Sequence, residues 1–479
     1  MSTSTTPTAA GGGATGRERR RVIFSSYLGT TIEFYDFLLY ATASAVVFGP
    51  VFFSGLDPWA GVVASYGTFA AGYLARPLGG VIFGHFGDRM GRKKLLVISM
   101  LLMGLASTAI GLVPTPALIG PWAAVMLVLL RIVQGIAVGG EWGGAALMAL
   151  EHAEPKSRGF AASFTNAGAP TGSVLGLLVM SAFSALPQEQ FLTWGWRVPF
   201  LLSFVLLLLG LWVRVRVSES PIFQQALERD AVERAAAPMA RRTIPLLQVL
   251  RRPGLLVAVI LAATSAFALQ TLLSTFAISY TVSLGMPRSD VMLAFAGAGM
   301  ISIGSTLLMG RISDRLGRKP LMIAGNILFI AVTPAVFALL SSGNIGQVFL
   351  AFTLGIVTQT VLYGPMAAFI SERFGTASRY TGASVGYQIA TLLGGGFTPL
   401  VLANLYSGSG ASVVPVIVYL SIVAAVSLVT VLFMPESKDR SLGDSPQQAF
   451  GQEATASAGS GAASVTGGGF ADKSRTEVS

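Results

Sequence analysis

The chain lacks the residues from which most catalytic and metal-binding sites are built. Its 479 residues include no cysteine and two histidines, and only 11% of them are charged. The absence of cysteine excludes disulfides, thiolate nucleophiles and cysteine-ligated metal sites. His85 and His152 fall at predicted helix ends, which leaves little from which to build a nucleophile with its base or a metal cluster. We predict that the chain is not an enzyme and binds no cofactor.

The scarcity of charge accompanies an excess of apolar residues. Hydrophobic residues make up 53% of the chain and the mean hydropathy is +0.68, whereas charged residues alone reach about 25% in soluble domains. A membrane-spanning helix needs roughly 20 apolar residues. We therefore predict an all-α integral membrane protein with twelve spans, at residues 22–48, 59–83, 95–113, 122–150, 160–185, 196–214, 253–283, 290–309, 320–341, 345–371, 380–404 and 412–434.

Basic residues between the predicted spans indicate how the chain crosses the membrane. Every second connection carries a cluster of lysine and arginine, whereas the alternate connections carry only Arg288. Because basic residues concentrate on the cytoplasmic side, we expect a multi-pass protein of the cell membrane with both termini in the cytoplasm. The net charge of +10 therefore reflects contact with the lipid bilayer and topology, and no nucleic-acid partner is expected.

An internal repeat divides the membrane domain into two pseudo-symmetric halves. The segment 84–93 reads Gly-His-Phe-Gly-Asp-Arg-Met-Gly-Arg-Lys, and the segment 310–319 reads Gly-Arg-Ile-Ser-Asp-Arg-Leu-Gly-Arg-Lys. A second set of matches falls at nearly the same offset. Ala145-Ala146, Glu151, Arg158 and Ser163 in the first half correspond to Ala367-Ala368, Glu372, Arg379 and Ser384 in the second half. Parallel six-helix halves of this kind move by rocking against each other.

The repeat and the spans together define five parts of the chain. We predict a cytoplasmic N-terminal tail (1–21), a six-helix half (22–214), a cytoplasmic central loop (215–252), a second six-helix half (253–434) and a disordered cytoplasmic tail (435–479). The last part is rich in Gly, Ser, Ala and Gln and has no heptad pattern, which is typical of disorder.

The fixed glycine and aspartate positions of the two charged motifs favour a gating role. A plain membrane anchor needs basic residues but no such spacing, and an aspartate at a turn can accept hydrogen bonds from helix N-terminal amides. Topology anchoring is the alternative interpretation. The predicted gating residues are Gly84, Asp88, Arg89, Gly91, Arg92, Asp314, Arg315, Gly317 and Arg318, together with the matching glutamates Glu151 and Glu372.

These motifs resemble those of a known family. The pattern Gly-x-x-x-Asp-Arg-x-Gly-Arg-Lys, present twice, is similar to the loop signature of the major facilitator superfamily. Four further segments resemble the metabolite:proton symporter branch, which includes shikimate and organic-acid carriers and proline/betaine carriers: 33–37, 131–144, 194–200 and 219–223. The resemblance implies the twelve-helix fold of that family and proton-driven uptake of a small metabolite by alternating access.

Five charged residues lie deep in the predicted spans, away from the span ends: Glu33, Asp36, Arg76, Arg131 and Glu141. A charge at the bilayer centre costs roughly 2.5–3.5 kcal/mol, so such residues usually face the interior of the bundle. At about 1.5 Å per residue, Glu33 and Asp36 lie near the middle of the first span. Because both histidines lie at helix ends, we predict that these two carboxylates bind the coupling proton.

Arg131 is the candidate contact for a substrate anion, because a guanidinium binds a carboxylate in a bidentate manner. Gln134 follows it on the same helix face, and Tyr35 and Arg76 complete the predicted substrate site of this half. The competing hypothesis is that Asp36 with Arg131, and Arg76 with Glu141, form permanent ion pairs that only neutralise each other.

The second half offers polar rather than charged side chains deep in its spans. We select Gln359, Tyr363 and Gln388 as candidates to bind neutral parts of a substrate, hydroxyls above all. Interhelical hydrogen bonding is the alternative role for each of them.

Several other classes of membrane protein are weighed by motif. The chain has no Gly-x-x-x-x-Gly-Lys-Ser/Thr loop, which argues against an ATP-driven pump. A drug:proton antiporter would share the fold, but the run Gly139-Gly140-Glu141-Trp142-Gly143-Gly144 disfavours it. A proline or glycine betaine symporter stays open, although Arg131 favours an anion. We predict proton symport of a small organic acid such as shikimate or a di- or tricarboxylate, with a monomer as the functional unit.

Overall fold

The computed structural model describes residues 16–56, 58–220, 222–225, 228, 232, 245–376, 378–438 and 442. No strand occurs in these ranges, and twelve long helices account for most of them. The helices are α1 (Gly16–Val46), α2 (Pro58–Met90), α3 (Arg92–Leu112), α4 (Trp122–Glu151), α5 (Arg158–Ser184), α6 (Gln188–Val215), α7 (Pro253–Ser283), α8 (Arg288–Leu316), α9 (Arg318–Leu340), α10 (Ile345–Ser371), α11 (Arg379–Gly408) and α12 (Val414–Phe433). Shorter helices cover Phe48–Phe52, Pro116–Ile119, Pro155–Ser157 and Pro245–Leu250.

The helices α3 to α12 are ten segments that are long and apolar enough to cross a membrane. The other two, α1 and α2, are 31 and 33 residues long and carry Glu33, Asp36 and Arg76 within them. The predicted all-α architecture of twelve spanning helices is confirmed, and the protein crosses the membrane many times.

The two charged motifs are mostly helical, which corrects the predicted spans that end at residues 83 and 309 and begin again only at 95 and 320. Because α2 ends at Met90 and α3 begins at Arg92, Gly91 alone connects them, and Gly317 alone connects α8 to α9. Both glycines have positive φ angles, 104° and 105°, a conformation that strains any other residue. We call the end of the molecule that carries these two glycines the turn-bearing end.

Asp88 and Asp314 link the two halves by accepting hydrogen bonds at helix N-termini. Asp88 accepts from the backbone N–H groups of the second and third residues of α11, at 3.0 and 2.9 Å. Asp314 accepts from the corresponding N–H groups of α5, at 2.7 and 2.8 Å. Each half therefore supplies one carboxylate to the positive end of a helix in the other half. The spacing of the motif predicted these acceptors correctly.

Acidic residues that follow the last helix of each half bind the N-termini of α3 and α9. Glu219 accepts from the backbone N–H of Lys93 at 3.1 Å, and Glu436 accepts from those of Arg318 and Lys319 at 3.0 and 2.9 Å. Burial raises the pKa of Glu436, but hydrogen bonds from four backbone N–H groups outweigh burial, so its pKa lies below the ordinary value. Glu436 therefore stays ionised near neutral pH and continues to accept hydrogen bonds from the N-terminus of α9.

Buried arginine–glutamate pairs lie behind each connecting glycine. Arg92 pairs with Glu151 in the N-terminal half, and Arg318 Nη2 lies 3.1 Å from Glu372 Oε1 in the C-terminal half. Arg379 of α11 joins the halves, because its Nη1 lies 3.1 Å from Glu151 Oε1. Breaking a buried pair by removing one partner typically costs about 3–5 kcal/mol. These pairs therefore hold both turns in place.

The two halves also contact each other between the turn-bearing end and the middle of the bundle. The ring of Trp142 in α4 stacks on that of Tyr387 in α11, with centroids 3.5 Å apart. Asn166 of α5 donates to the carbonyl of Tyr363 in α10 at 2.5 Å, and Gln388 Nε2 donates to a carbonyl of α4 at 3.3 Å. At about 1.5 Å per residue, Gln388 lies roughly 14 Å from the start of α11. The turn-bearing end of the bundle is therefore closed.

The described residues of the predicted C-terminal tail are 435–438 and 442, and they pack against the turn-bearing end. Ser437 Oγ donates to Glu372 at 2.7 Å, and the carbonyl of Leu442 accepts from Thr376 and Arg379 at 2.9 and 2.7 Å. Disorder over the whole of 435–479 is therefore wrong for these five residues. The rest of the predicted tail, residues 1–15 of the predicted N-terminal tail, and residues 221, 226–227, 229–231 and 233–244 of the predicted central loop lie outside the described residues.

The closed turn-bearing end gives a first prediction. Replacing Asp88 by Asn weakens its charge-assisted hydrogen bonds to α11, each worth about 1.5–3 kcal/mol, and we expect the open population to rise about tenfold. The readout is labelling of a single cysteine placed at the buried residue Ser384 by an impermeant thiol reagent applied from the turn-bearing side. Asp290→Asn at the exposed start of α8 is the control. Equal labelling rates in the Asp88 and Asp290 variants would contradict a gating role.

Candidate functional site

A small cavity lies in the N-terminal half, where α1, α2, α3 and α4 meet. Its lining residues are Glu33, Asp36, Phe37, Gly72, Arg76, Met103, Arg131, Gln134, Gly135 and Val138. We call it the central cavity. It brings together both predicted proton-coupling residues and three of the predicted substrate-binding residues. The spacing of these residues along α1 and α4 places them on faces that turn toward each other.

The two acidic side chains of the central cavity are buried, and each has an oxygen without a hydrogen-bond partner. Glu33 is 3% and Asp36 1% exposed. Asp36 Oδ1 accepts from Ser203 Oγ of α6. Among the described residues, Asp36 Oδ2 and Glu33 Oε2 have no hydrogen-bond partner. A buried polar atom without a partner is costly, so these oxygens are positioned to hold a proton or to contact a ligand or water.

Arg131 is held in place by one side chain and by aromatic rings. Its Nη1 donates to Gln134 Oε1 at 3.1 Å, and Gln134 Nε2 donates in turn to Ser107 Oγ of α3 at 2.6 Å. The guanidinium carbon lies 4.2 Å from the ring centroid of Tyr40 and 4.8 Å from that of Phe69. Arg131 Nε has no hydrogen-bond partner among the described residues. Because aromatic rings lie against the faces of the guanidinium, its edge stays available to donate hydrogen bonds to a planar acceptor such as a carboxylate.

Arg76 contacts an aromatic ring that Arg131 also contacts. Its guanidinium carbon is 4.7 Å from the centroid of Phe37 and 4.5 Å from that of Tyr73, while that of Arg131 is 5.3 Å from Phe37. Two cations therefore lie close to one aromatic side chain, Phe37, in the lining of the central cavity. Aromatic faces attract cations without neutralising their charge.

The predicted ion pairs are not those of the structure. Glu141 pairs with Arg214 of α6 and accepts from Ser99 Oγ at 2.8 Å. The hypothesis of an Arg76–Glu141 pair is therefore wrong, because another arginine occupies that carboxylate. No ion pair joins Asp36 to Arg131 in the part of the chain that the structure describes. The sequence analysis did not select Arg214 as a partner of Glu141, because Arg214 is the last residue of the predicted span 196–214. A basic residue at the end of a span is ordinarily interpreted as a topology signal.

The other predicted substrate residues are not among those that line the central cavity. Tyr35 belongs to the packed core, and its hydroxyl donates to the carbonyl of Pro199 at 2.9 Å. The hydroxyls of Tyr363 and Tyr387 lie 3.1 Å apart where the two halves meet. Gln388 bonds across that contact to α4, and Gln359 is a buried residue of α10. The substrate roles of these four predicted residues stay predictions.

The predicted gating residues all lie at the turn-bearing end. Gly84 packs so closely on α11 that a Cβ atom added to it would lie 2.6 Å from Thr381 Cα. Arg315 is exposed and Arg89 is partly buried. The sequence missed Ser220 and Ser437, which donate to Glu151 and Glu372 respectively. The segments Glu219-Ser220 and Glu436-Ser437 occupy equivalent places in the two halves, so this short repeat was a usable signal.

Comparison with known proteins identifies relatives of this chain. A family model described as "Sugar (and other) transporter" matches residues 22–448. The shikimate transporter of Escherichia coli (strain K12) is 37% identical over 427 residues, covering 88% of this chain and 95% of the relative. The inner membrane metabolite transport protein YhjE of the same strain is 40% identical over 435 residues, covering 88% and 96%.

A third relative and a solved structure are also transporters, and they align with most of this chain. The proline/betaine transporter of E. coli (strain K12) is 33% identical over 448 residues, covering 91% of this chain and 87% of the relative. The proton:xylose symporter XylE bound to 6-bromo-6-deoxy-D-glucose has the same fold, with a TM-score of 0.70, 20% identity and coverage of 89% and 98%. Because the family model spans most of the chain and the relatives align along nearly their whole length, the chain belongs to the major facilitator superfamily, a family of membrane transporters and not of enzymes.

Proposed function

We propose that the protein takes up a small organic anion together with protons, by alternating access across the cell membrane. One observation carries the proposal: the central cavity holds two buried carboxyl groups and two buried arginines, and each carboxyl group has an oxygen without a hydrogen-bond partner. A proton and a carboxylate ligand are the two species that these groups bind best.

Charge balance in the central cavity links proton binding to anion binding. With Glu33 and Asp36 ionised, their charges cancel those of Arg76 and Arg131, so an added anion would be left uncompensated. Protonation of either acid gives the cavity a net positive charge, which an anionic substrate then neutralises. Each ligand therefore raises the affinity of the cavity for the other, which is the thermodynamic requirement for symport.

Alternating access follows from the closed turn-bearing end, which we propose faces the cytoplasm. The bonds of Asp88, Asp314 and Arg379 close this end. Rocking of the halves would have to break these bonds in order to release the substrate and protons inward. The charge of the cavity is balanced when it holds both the proton and the anion or neither of them, and unbalanced when it holds only one. The halves therefore rearrange at lower cost in the two balanced states.

The alternative substrate is a zwitterion such as proline or a betaine, which the 33% identical relative transports by its name. A quaternary nitrogen binds to aromatic faces. In the central cavity, however, the faces of Phe37, Tyr40 and Phe69 are already occupied by the guanidinium of Arg131. This occupation favours an anion, and the 37% identical relative is named for shikimate, a carboxylate.

The substrate class is tested by uptake into proteoliposomes of a panel of labelled compounds, with and without an acid-outside pH gradient. The panel contains shikimate, oxoglutarate, citrate, proline and glycine betaine. We expect acid-stimulated accumulation of at least one carboxylate and none of the zwitterions. Accumulation of the zwitterions alone would favour the betaine alternative, and transport that ignores the gradient would contradict proton symport.

Asp36 gives a direct test of proton coupling. Asparagine keeps the size of the side chain and the contact with Ser203 but binds no proton, so we expect Asp36→Asn to lose the acceleration of uptake by external acid. The measurement is the ratio of initial uptake rates with and without the gradient, which should fall to about one. Glu189→Gln, at an exposed position of α6, is the control. Asp36 has no coupling role if the variant keeps the wild-type ratio.

Arg131 gives the corresponding test of anion binding. Loss of a charge-assisted bidentate contact costs about 1.5–3 kcal/mol, so Arg131→Ala should raise the KM for a carboxylate at least about tenfold. Lysine keeps the charge but not the planar fork, and we expect Arg131→Lys to show a smaller rise of the same sign. Arg288→Ala, on the exposed start of α8, is the control. A normal KM in both Arg131 variants would exclude Arg131 from the substrate site.

A further inference from the structure

A second cavity lies inside the N-terminal half, between the central cavity and the turn-bearing end. Its lining includes Ser25 and Ser26 of α1, Lys93 of α3, Met148 of α4 and Arg214 of α6. We call it the exit cavity. It lies within one half, whereas the closing contacts at the turn-bearing end lie between the halves. It is therefore not part of the path along which a substrate passes between the halves.

The Glu141–Arg214 ion pair separates the two cavities. Arg214 lines the exit cavity, and its Nη1 also donates to the carbonyl of Leu96 at 2.7 Å. Glu141 is 1% exposed and lies on α4 between Val138, which lines the central cavity, and Met148, which lines the exit cavity. Glu141 thus stands between the two spaces, with its partner already at the exit cavity.

The first helix connects the same two spaces by a stripe of small and polar residues. The stripe consists of Ser25, Ser26, Gly29, Glu33 and Asp36. Ser25 and Ser26 are adjacent, and each later member follows the one before it by three or four residues, so all five share one face of α1. This face runs from the exit cavity, past the ion pair, to the central cavity.

Gly29 fixes how closely α1 approaches the ion pair. A Cβ atom added to Gly29 would lie 2.7 Å from Glu141 Oε1 and would collide with Arg214 Nη2. Glu33 follows Gly29 by one helical turn, about 6 Å along the axis. Because Gly29 has no side chain, the Glu141–Arg214 ion pair packs directly against α1, next to the helical turn that carries Glu33.

We propose that Glu141 is a proton relay, which receives a proton from Glu33 and releases it through the exit cavity toward the turn-bearing side. The proposal rests on the proton coupling inferred for the central cavity. In the first step the O–H bond of Glu33 breaks and one forms on Glu141, leaving Glu33 as the carboxylate. In the second step Glu141 gives the proton to water in the exit cavity and is again a carboxylate.

The first proton transfer leaves the total charge of the region unchanged, because Glu33 becomes a carboxylate as Glu141 becomes neutral. When Glu141 is protonated, Arg214 loses its counter-ion but keeps the carbonyl of Leu96, and the pair re-forms when the proton leaves. The ionisable groups that face this region from the neighbouring elements are Glu33 of α1, Arg76 of α2, Lys93 of α3, Arg131 of α4, Arg214 of α6 and Tyr380 of α11, whose hydroxyl donates to the carbonyl of Gly140. The substrate and the proton would thus leave by different routes.

The experiment compares two transport modes of the full-length protein in proteoliposomes. Shikimate is the probe, or another carboxylate of the panel if the wild type prefers it. Exchange of internal for external substrate at equal pH needs no proton release, whereas accumulation driven by an acid-outside gradient does. Glu141→Gln keeps hydrogen-bonding capacity toward Arg214 and Ser99 but cannot carry a proton. We expect its exchange to stay within about twofold of wild type and its gradient-driven accumulation to fall at least about tenfold.

Two further variants separate a relay from a structural role. Glu141→Asp restores a proton-binding group and should recover a substantial part of the accumulation. Glu372→Gln makes the same substitution in a buried ion pair outside the route and should change exchange and accumulation in equal proportion.

Each possible failure has a distinct meaning. Accumulation by Glu141→Gln at the wild-type rate overturns the relay and leaves the proposed symport standing. A parallel loss of exchange and accumulation in Glu141→Gln also overturns it, because the residue would then act only through structure. A wild-type protein that shows no acid stimulation overturns both the relay and the proposed symport.

Discussion

The cost of placing ionised side chains in a hydrocarbon layer is the constraint on which the structure depends. Most of the buried acids meet this constraint with an arginine: Glu141 with Arg214, Glu151 with Arg92 and Arg379, and Glu372 with Arg318. Glu33 and Asp36 are as deeply buried, yet each keeps an oxygen without a hydrogen-bond partner. In the proposed symport, Glu33 and Asp36 exchange the coupling proton, whereas Glu151 and Glu372 hold the fold. The relay proposed for Glu141 interrupts its pair with Arg214 only while a proton passes.

The same chemistry operates at the turn-bearing end, where carboxylates bind helix N-termini instead of arginines. Asp88 and Asp314 each reach across to the other half, while Glu219 and Glu436 bind within their own half. The first set has to be released for the halves to separate, and the second set has to persist for each half to move as a rigid unit. In the proposed alternating access, each copy of the motif therefore takes part in one bond that opens and one that persists.

Much of this arrangement was predictable from the sequence because it depends on period and repetition. Long apolar runs specify the spans, and the two Gly-Asp-Gly motifs specify the halves. The motifs failed as predictors of local shape, since helical hydrogen bonding continues through them to a single glycine. Partners were the least predictable part. Ser203 meets Asp36 because α6 packs beside α1, and Arg214 reaches Glu141 only because α6 also packs beside α3. Tyr35 shares the signature segment with Asp36 but points to Pro199, because neighbouring residues of a helix face different directions.

Cotransport in the central cavity is the central claim, and the movement of protons caused by substrate is its most direct measurement. Proteoliposomes without an imposed gradient or potential would be mixed with shikimate while the external pH is followed in a weakly buffered medium. We predict that the external medium becomes alkaline as substrate enters, and that a protonophore abolishes the signal. Entry of the substrate without any change of pH, or with acidification, would contradict the account.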